Sequence, residues 1–116
     1  MLIAQISDLH VAPDDSFMRR CVDANALLAR AIEYLNTMTP RPDVVVATGD
    51  LTDHGTADEY GMLRELLGAL DVPLFLVPGN HDEPPVLREA LGTPPYVTGP
   101  TFDYAVDHCP VRLVAL

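Results

Sequence analysis

Three short apolar runs in this chain each end in a polar turn, and each turn carries atoms of the kind that bind metal ions. The run Val44-Val45-Val46-Ala47 gives out into Gly49-Asp50. Ile3-Ala4-Gln5-Ile6 leads into Ser7-Asp8-Leu9-His10, and Leu74-Phe75-Leu76-Val77 into Pro78-Gly79-Asn80-His81-Asp82. Short apolar runs bounded by turn residues read as buried strands. A parallel sheet holds its ligands at the carboxyl ends of its strands. Were these three runs parallel neighbours, Asp8, His10, Asp50, Asn80 and His81 would gather at one edge of one sheet.

The segments between the runs support that arrangement. Ala24, Leu27, Leu28, Ala31, Ile32 and Leu35 recur at helical spacing, which predicts an amphipathic helix starting somewhere in 17–22. Thr39-Pro40-Arg41-Pro42 ends it, because proline cannot continue the hydrogen-bond ladder. Residues 43–48 form the second predicted strand, so strand, helix and strand make one βαβ unit, a crossover that is almost always right-handed. Thr56-Ala57-Asp58-Glu59 matches a capping box. Tyr60, Leu63, Leu66, Leu67 and Leu70 then form a second apolar stripe, with the helix giving out near Leu70-Asp71.

Residues 72–77 are the third predicted strand, with Pro73 at its start. Asp82 or Glu83 is placed to cap a short third helix with Pro84 or Pro85 in its first turn. Val86, Leu87, Ala90 and Leu91 give that helix its buried face and Gly92 its end. The proline-rich 93–100 reads as loop. Residues 102–106 and 111–116 read as a β-hairpin around a turn at 107–110. The last strand stops in apolar residues, so the 116 residues are expected to be the N-terminal part of a single, longer domain.

Composition narrows the partners. The formal net charge is −10, with 17 acids against seven bases, all of them arginine. Binding to a nucleic-acid backbone rests on Lys and Arg displacing counterions, so a nucleic-acid polymer is not expected as a partner. The same field repels a small phosphoester unless the site carries its own cations. Cys21 and Cys109 have no C-x-x-C spacing and read as two reduced thiols. No stretch approaches the roughly 20 apolar residues that cross a bilayer, and no signal-peptide pattern opens the chain. A cytoplasmic protein without a membrane partner is expected. The oligomeric state, including a homo-oligomer, stays open.

Each motif has a plain structural alternative. Asp8-Leu9-His10 could be a loop aspartate beside a surface histidine. Asp50 could make an Asx-type turn. Gly79-Asn80-His81-Asp82 could be a polar turn leading into a helix. Their joint occurrence at three strand ends decides for metal. Carboxylate with imidazole suits borderline ions such as Zn²⁺, Fe²⁺ and Mn²⁺. A carboxylate such as Asp50 has two oxygens and can bridge two cations. Two ions about 3.5–4 Å apart could activate a water for in-line attack on phosphorus.

With these blocks in hand, the chain resembles the calcineurin-like metallophosphoesterases over its whole length. The resemblance is carried by Ile6-Ser7-Asp8-Leu9-His10, Thr48-Gly49-Asp50-Leu51-Thr52 and Pro78-Gly79-Asn80-His81-Asp82. Within the family it looks most like the bacterial class III cyclic nucleotide phosphodiesterases and the related glycerophosphodiesterases. The resemblance implies an α/β fold, an αββα sandwich of which this chain is the N-terminal half: a βαβαβ parallel unit, a short helix, then a β-hairpin. It implies that Asp8 and His10 hold one metal, that Asp50 bridges two, and that Asn80 holds the second. His81 would contact the phosphoester and protonate the leaving group, and Asp82 would position His81.

The implied activity is hydrolysis of a small phosphodiester, a cyclic nucleotide or glycerophosphodiester, by a metal-bridging hydroxide. Two divalent or trivalent transition-metal ions (Fe, Mn, Zn or Co) would serve as cofactors. The family adds a later histidine and a G-H-x-H pair that have no counterpart in these 116 residues. Of the other histidines, His108 is expected at the surface, and His54 on the solvent or substrate side rather than as a ligand. With four ligands shared between two metals, the chain alone is expected to bind metal weakly and to be inactive. The competing readings are a catalytically incomplete folding or interaction module, and a Mg²⁺-dependent receiver-like domain. Histidines at 10 and 81 argue against the latter, because Mg²⁺ prefers oxygen.

Overall fold

The computed structural model describes residues 1–16, 21–107 and 110–116. The three apolar runs form one parallel sheet of β1 (Ile3–Ile6), β2 (Val44–Thr48) and β3 (Leu74–Val77), in the spatial order β1-β2-β3. Ile3 pairs with Val44 and Ile6 with Ala47, while Val45 pairs with Leu74 and Thr48 with Val77. The register is flush, so the three strands run out into their loops at the same height. The helices α1 (Ala24–Thr37), α2 (Ala57–Leu67) and α3 (Pro84–Leu91) follow the strands in turn. The chain closes on the antiparallel pair β4 (Tyr104–Val106) and β5 (Leu113–Ala115).

Side chains alternate across a strand, so each strand of this sheet offers two faces. Ala47 and Leu76 on one face pack with Leu28 and Ile32 of α1, Tyr60 and Leu63 of α2 and Leu87 of α3. Val44 and Phe75 on the other face pack with Val106 and with the partly buried Tyr96, Tyr104 and Leu113. Helices on one face and a hairpin on the other give the layers of the N-terminal half of an αββα sandwich.

The expected elements all form, with shorter ends. The side chain of Asp23 caps α1, accepting from Ala26 N at 2.9 Å. Leu28, Ile32 and Leu35 are buried as their spacing predicts, but Leu27 lies at the flank of the stripe and is 53% exposed. The capping box of α2 is complete, from Thr56 to Glu59 and back. That helix ends at Leu67 rather than Leu70, because Gly68 caps it and the next residues tighten into i→i+3 bonds, Ala69 N to Leu66 O and Leu70 N to Leu67 O. β3 starts at Leu74, not at residue 72. Pro73 has no N–H for the ladder, although its carbonyl accepts from Val45 N at 2.8 Å.

Phe102 is buried outside β4. The Arg88 guanidinium lies 4.6 Å over its ring and donates to the carbonyls of Gly99 and Thr101, which holds this stretch against α3. Cys21 is a free, exposed thiol. α1 starts at Ala24, later than the expected 17–22, because Asp23 caps it there; residues 17–20, His108 and Cys109 lie outside the described residues. No helix among the described residues is long and apolar enough to cross a membrane.

Candidate metal centre

The β1–β2 pairing does not stop where the strands do. Asp8 N donates to Gly49 O at 3.1 Å, His10 N to Asp50 O at 3.0 Å and Val11 N to Leu51 O at 3.2 Å. The loop then turns back, and Asp53 N donates to Val11 O at 3.2 Å. From β3, the backbone N–H of His81 donates to Asp50 Oδ1 at 3.1 Å. Backbone bonds thus bring all three strand-end loops to one place, where parallel-sheet ligands are held.

Two glycines permit this approach. A Cβ on Gly79 would lie 2.2 Å from both the backbone N and Oδ1 of Asp50. A Cβ on Gly49, whose φ is +90°, would meet Gly79 Cα at 3.1 Å. The glycines of the G-D and G-N-H-D motifs therefore face each other, and neither tolerates a side chain.

The backbone is strained where the donors sit. Asp8 (φ 54°), His10 (φ 43°) and Asp50 (φ 48°) are the non-glycine residues with positive φ among the described residues. The left-handed region costs a residue with a Cβ roughly 1–2 kcal/mol, and such residues concentrate at functional sites. Ligand atoms of Asp8, His10 and Asp50 lie within 4.8 Å of one another, as do those of His10, Asp53 and His81. His10 Nε2 is 4.0 Å from Asp50 Oδ2. Its Nδ1 is buried and has no hydrogen-bond partner among the described residues. Ser7 Oγ donates to Asp8 Oδ2 and lies 3.1 Å from Thr48 O. Asn80 is exposed on the turn between Gly79 and His81. Carboxylates and an imidazole whose ligand atoms lie within a few ångströms of one another fit a borderline divalent ion.

His81 is exposed, its ring edge-on to that of His10 with centroids 4.8 Å apart. Its Nδ1 donates to the carbonyl oxygen of Asp53 at 2.8 Å. That bond raises its pKa above the ordinary 6.5; desolvation opposes the rise, and the carboxylates of Asp50, Asp53 and Asp82 add to it.

Asp82 neither caps α3 nor bonds to His81. Its carboxylate, 6% exposed, is taken up by five donors. Leu51 N (2.9 Å) and Gly79 N (2.8 Å) donate to Oδ2, and Thr52 N (3.2 Å), Thr52 Oγ1 (3.2 Å) and Tyr60 Oη (3.0 Å) to Oδ1. Glu83 stands at the N-cap position of α3 without a side-chain cap bond. Tyr60 is wholly buried and accepts in turn from Glu83 N at 2.8 Å, and burial pushes its pKa up to about 12.

Sequence reasoning missed Asp53. It is buried, with Oδ1 3.3 Å from His10 Nδ1 and Oδ2 3.3 Å from His54 Nδ1. The signal was a second acid three residues after Asp50, followed at once by a histidine. His54 itself is 67% exposed at its side chain and is held by Asp53 and Glu59.

Residues 1–110 match the calcineurin-like phosphoesterase family. The chain belongs to that family. Among calcineurin-like phosphoesterases it is similar to a probable glycerophosphodiester phosphodiesterase GpdQ of Arcobacter nitrofigilis, at 33% identity over all of this chain and 43% of the relative. It is 38% identical to the glycerophosphodiester phosphodiesterase GpdQ of Enterobacter lignolyticus, over 98% of this chain and 42% of the relative. It is 32% identical to the 3′,5′-cyclic adenosine monophosphate phosphodiesterase CpdA of Haemophilus influenzae, over 80% of this chain and 34% of the relative. The chain spans about two fifths of the length of the two GpdQ relatives.

Two outcomes follow from this geometry. Asp82→Asn replaces one acceptor oxygen with an NH₂ that faces donors, and is expected to cost roughly 3 kcal/mol in denaturant unfolding. In protein stripped of metal by a chelator, the His81 ring is expected to titrate above 6.5 by NMR. The folded value being the higher one, its stabilising contribution is complete below the unfolded pKa and fades as pH rises through the folded one.

Proposed function

We propose that this chain carries the first part of the metal site of a phosphodiesterase acting on small phosphodiesters, with the rest of the domain supplying further donors. Asp8 and His10 would hold one ion, Asp50 both, and Asn80 the second. The observation that carries this reading is the convergence of Asp8, His10 and Asp50, each in a left-handed backbone conformation, with ligand atoms within 4.8 Å of one another. Two bound divalent ions would lower the pKa of water and stabilise the charge of an in-line displacement at phosphorus.

The chain's own residues have separate tasks. Asn80 contributes an amide oxygen without adding negative charge, which matters in a chain of net charge −10 that must admit an anionic substrate. His81 stands exposed beside Asp50 and His10, within reach of a phosphoester docked there. With its Nδ1 on the Asp53 carbonyl, its Nε2 is the nitrogen left to give a proton to the departing alkoxide. The raised pKa keeps that proton available nearer neutral pH. A glycerophosphodiester or a cyclic nucleotide is the favoured substrate, because the relatives carry the names of enzymes acting on those two diesters. Those names favour catalysis over a role as an interaction module.

The test is hydrolysis of bis(p-nitrophenyl) phosphate by the full-length protein with Mn²⁺. Asp50→Ala is expected to lower turnover on the order of a thousand-fold or more, since several kcal/mol of charge stabilisation depend on the ions. Turnover that survives the substitution would reject the bridging role.

A further inference from the structure

A histidine that binds a metal through one ring nitrogen usually donates its other N–H to a carboxylate or carbonyl, and that partner sets both the tautomer and the ring's direction. His10 has the two sides of its ring in different surroundings. Nε2 faces Asp50 Oδ2 at 4.0 Å, too far for a hydrogen bond. Nδ1 is buried, unpartnered, and 3.3 Å from Asp53 Oδ1. His81 is held by the same residue through a different atom, the carbonyl oxygen of Asp53 at 2.8 Å.

Asp53 is well fixed for such a task. Its N–H donates to Val11 O, so the loop that bears it is pinned to the loop that bears His10. Its second carboxylate oxygen lies 3.3 Å from His54 Nδ1, and Glu59 reaches that same nitrogen at 3.3 Å while accepting from the His54 backbone N–H at 3.0 Å. Glu59 is itself 2% exposed and locked in the capping box of α2. A chain of contacts thus runs from the start of α2 through His54 and Asp53 to His10.

We propose that Asp53 is a positioning residue: its carboxylate turns the His10 ring so that Nε2 faces Asp50. This rests on the reading of Asp8, His10 and Asp50 as ligands, and goes beyond it in assigning which nitrogen of His10 is kept free and which residue keeps it so.

Two measurements test it on the full chain. In metal-free protein with ¹⁵N-labelled histidine, at alkaline pH where both rings are neutral, NMR reads the tautomers directly. Both His10 and His81 are expected to carry the proton on Nδ1. Asp53→Ala should leave the His81 tautomer as it was, because the carbonyl persists, and should make that of His10 mixed. Competition against a chelator should then show Zn²⁺ affinity weakened on the order of 10- to 100-fold. Asp53→Asn, which keeps one acceptor oxygen, should fall between the two.

A wild-type His10 protonated on Nε2 overturns the proposal, as does Asp53→Ala with unchanged His10 tautomer and affinity. Should Asp53→Ala fail to fold, the wild-type tautomers and Asp53→Asn still decide. Failure of the ligand reading looks different: the wild-type chain would bind no Zn²⁺ although its tautomers were as expected.

Discussion

The carboxylate of Asp82 is the joint on which the arrangement depends. It is buried with no cation beside it among the described residues, and a buried charge is tolerable only when hydrogen bonds replace the water it has lost. Five donors do so here, and they come from separate parts of the chain: the loop after β2, the loop after β3 and the start of α2. Satisfying one side chain therefore fixes three segments relative to one another. Asp50 sits between Gly49 and the Leu51–Thr52 pair that Asp82 grips, and His81 precedes Asp82 directly. The segments that carry the site's donors are thus held by a carboxylate that bonds to none of those donors.

That rigidity explains how the chain sustains three left-handed backbone conformations outside glycine. A strained residue persists only when its surroundings over-determine it. The backbone bonds from Asp8 to Gly49 and from His10 to Asp50 extend the sheet ladder through the strained stretch, and the facing glycines let β3 close on β2. His10 belongs to both clusters of ligand-type atoms, with Asp8 and Asp50 in one and with Asp53 and His81 in the other, so the loop after β1 ties the two together.

Most of the architecture was legible because it rests on local periodicity. Runs such as Val44–Ala47 and stripes such as Leu28, Ile32 and Leu35 announce strands and helices whatever surrounds them. The capping box at Thr56 was legible for the same reason. The element ends were not, since Gly68 and Pro73 act through backbone bonds that depend on neighbouring segments. The strand-end motifs pointed to Asp8, His10, Asp50, Asn80 and His81, and the structure brings the loops carrying them together. Asp82 looked like a helix cap, and the resemblance suggested a partner for His81. Four of its five donors, on Leu51, Thr52 and Tyr60, lie 22 to 31 residues earlier. Asp53 escaped notice because its contacts require the loop to fold back until Asp53 meets Val11, a long-range pairing without local signature.

The central claim is that three loops from three parallel strands make one cation site. Titration of the ¹⁵N-labelled chain with Zn²⁺, followed by amide chemical shifts, tests it most directly. The account predicts that residues around Asp8–His10, Asp50–Asp53 and Asn80–His81 respond together and with one affinity. Shifts confined to a single loop, or centred on the exposed Asp14 and Asp15 instead, would contradict it.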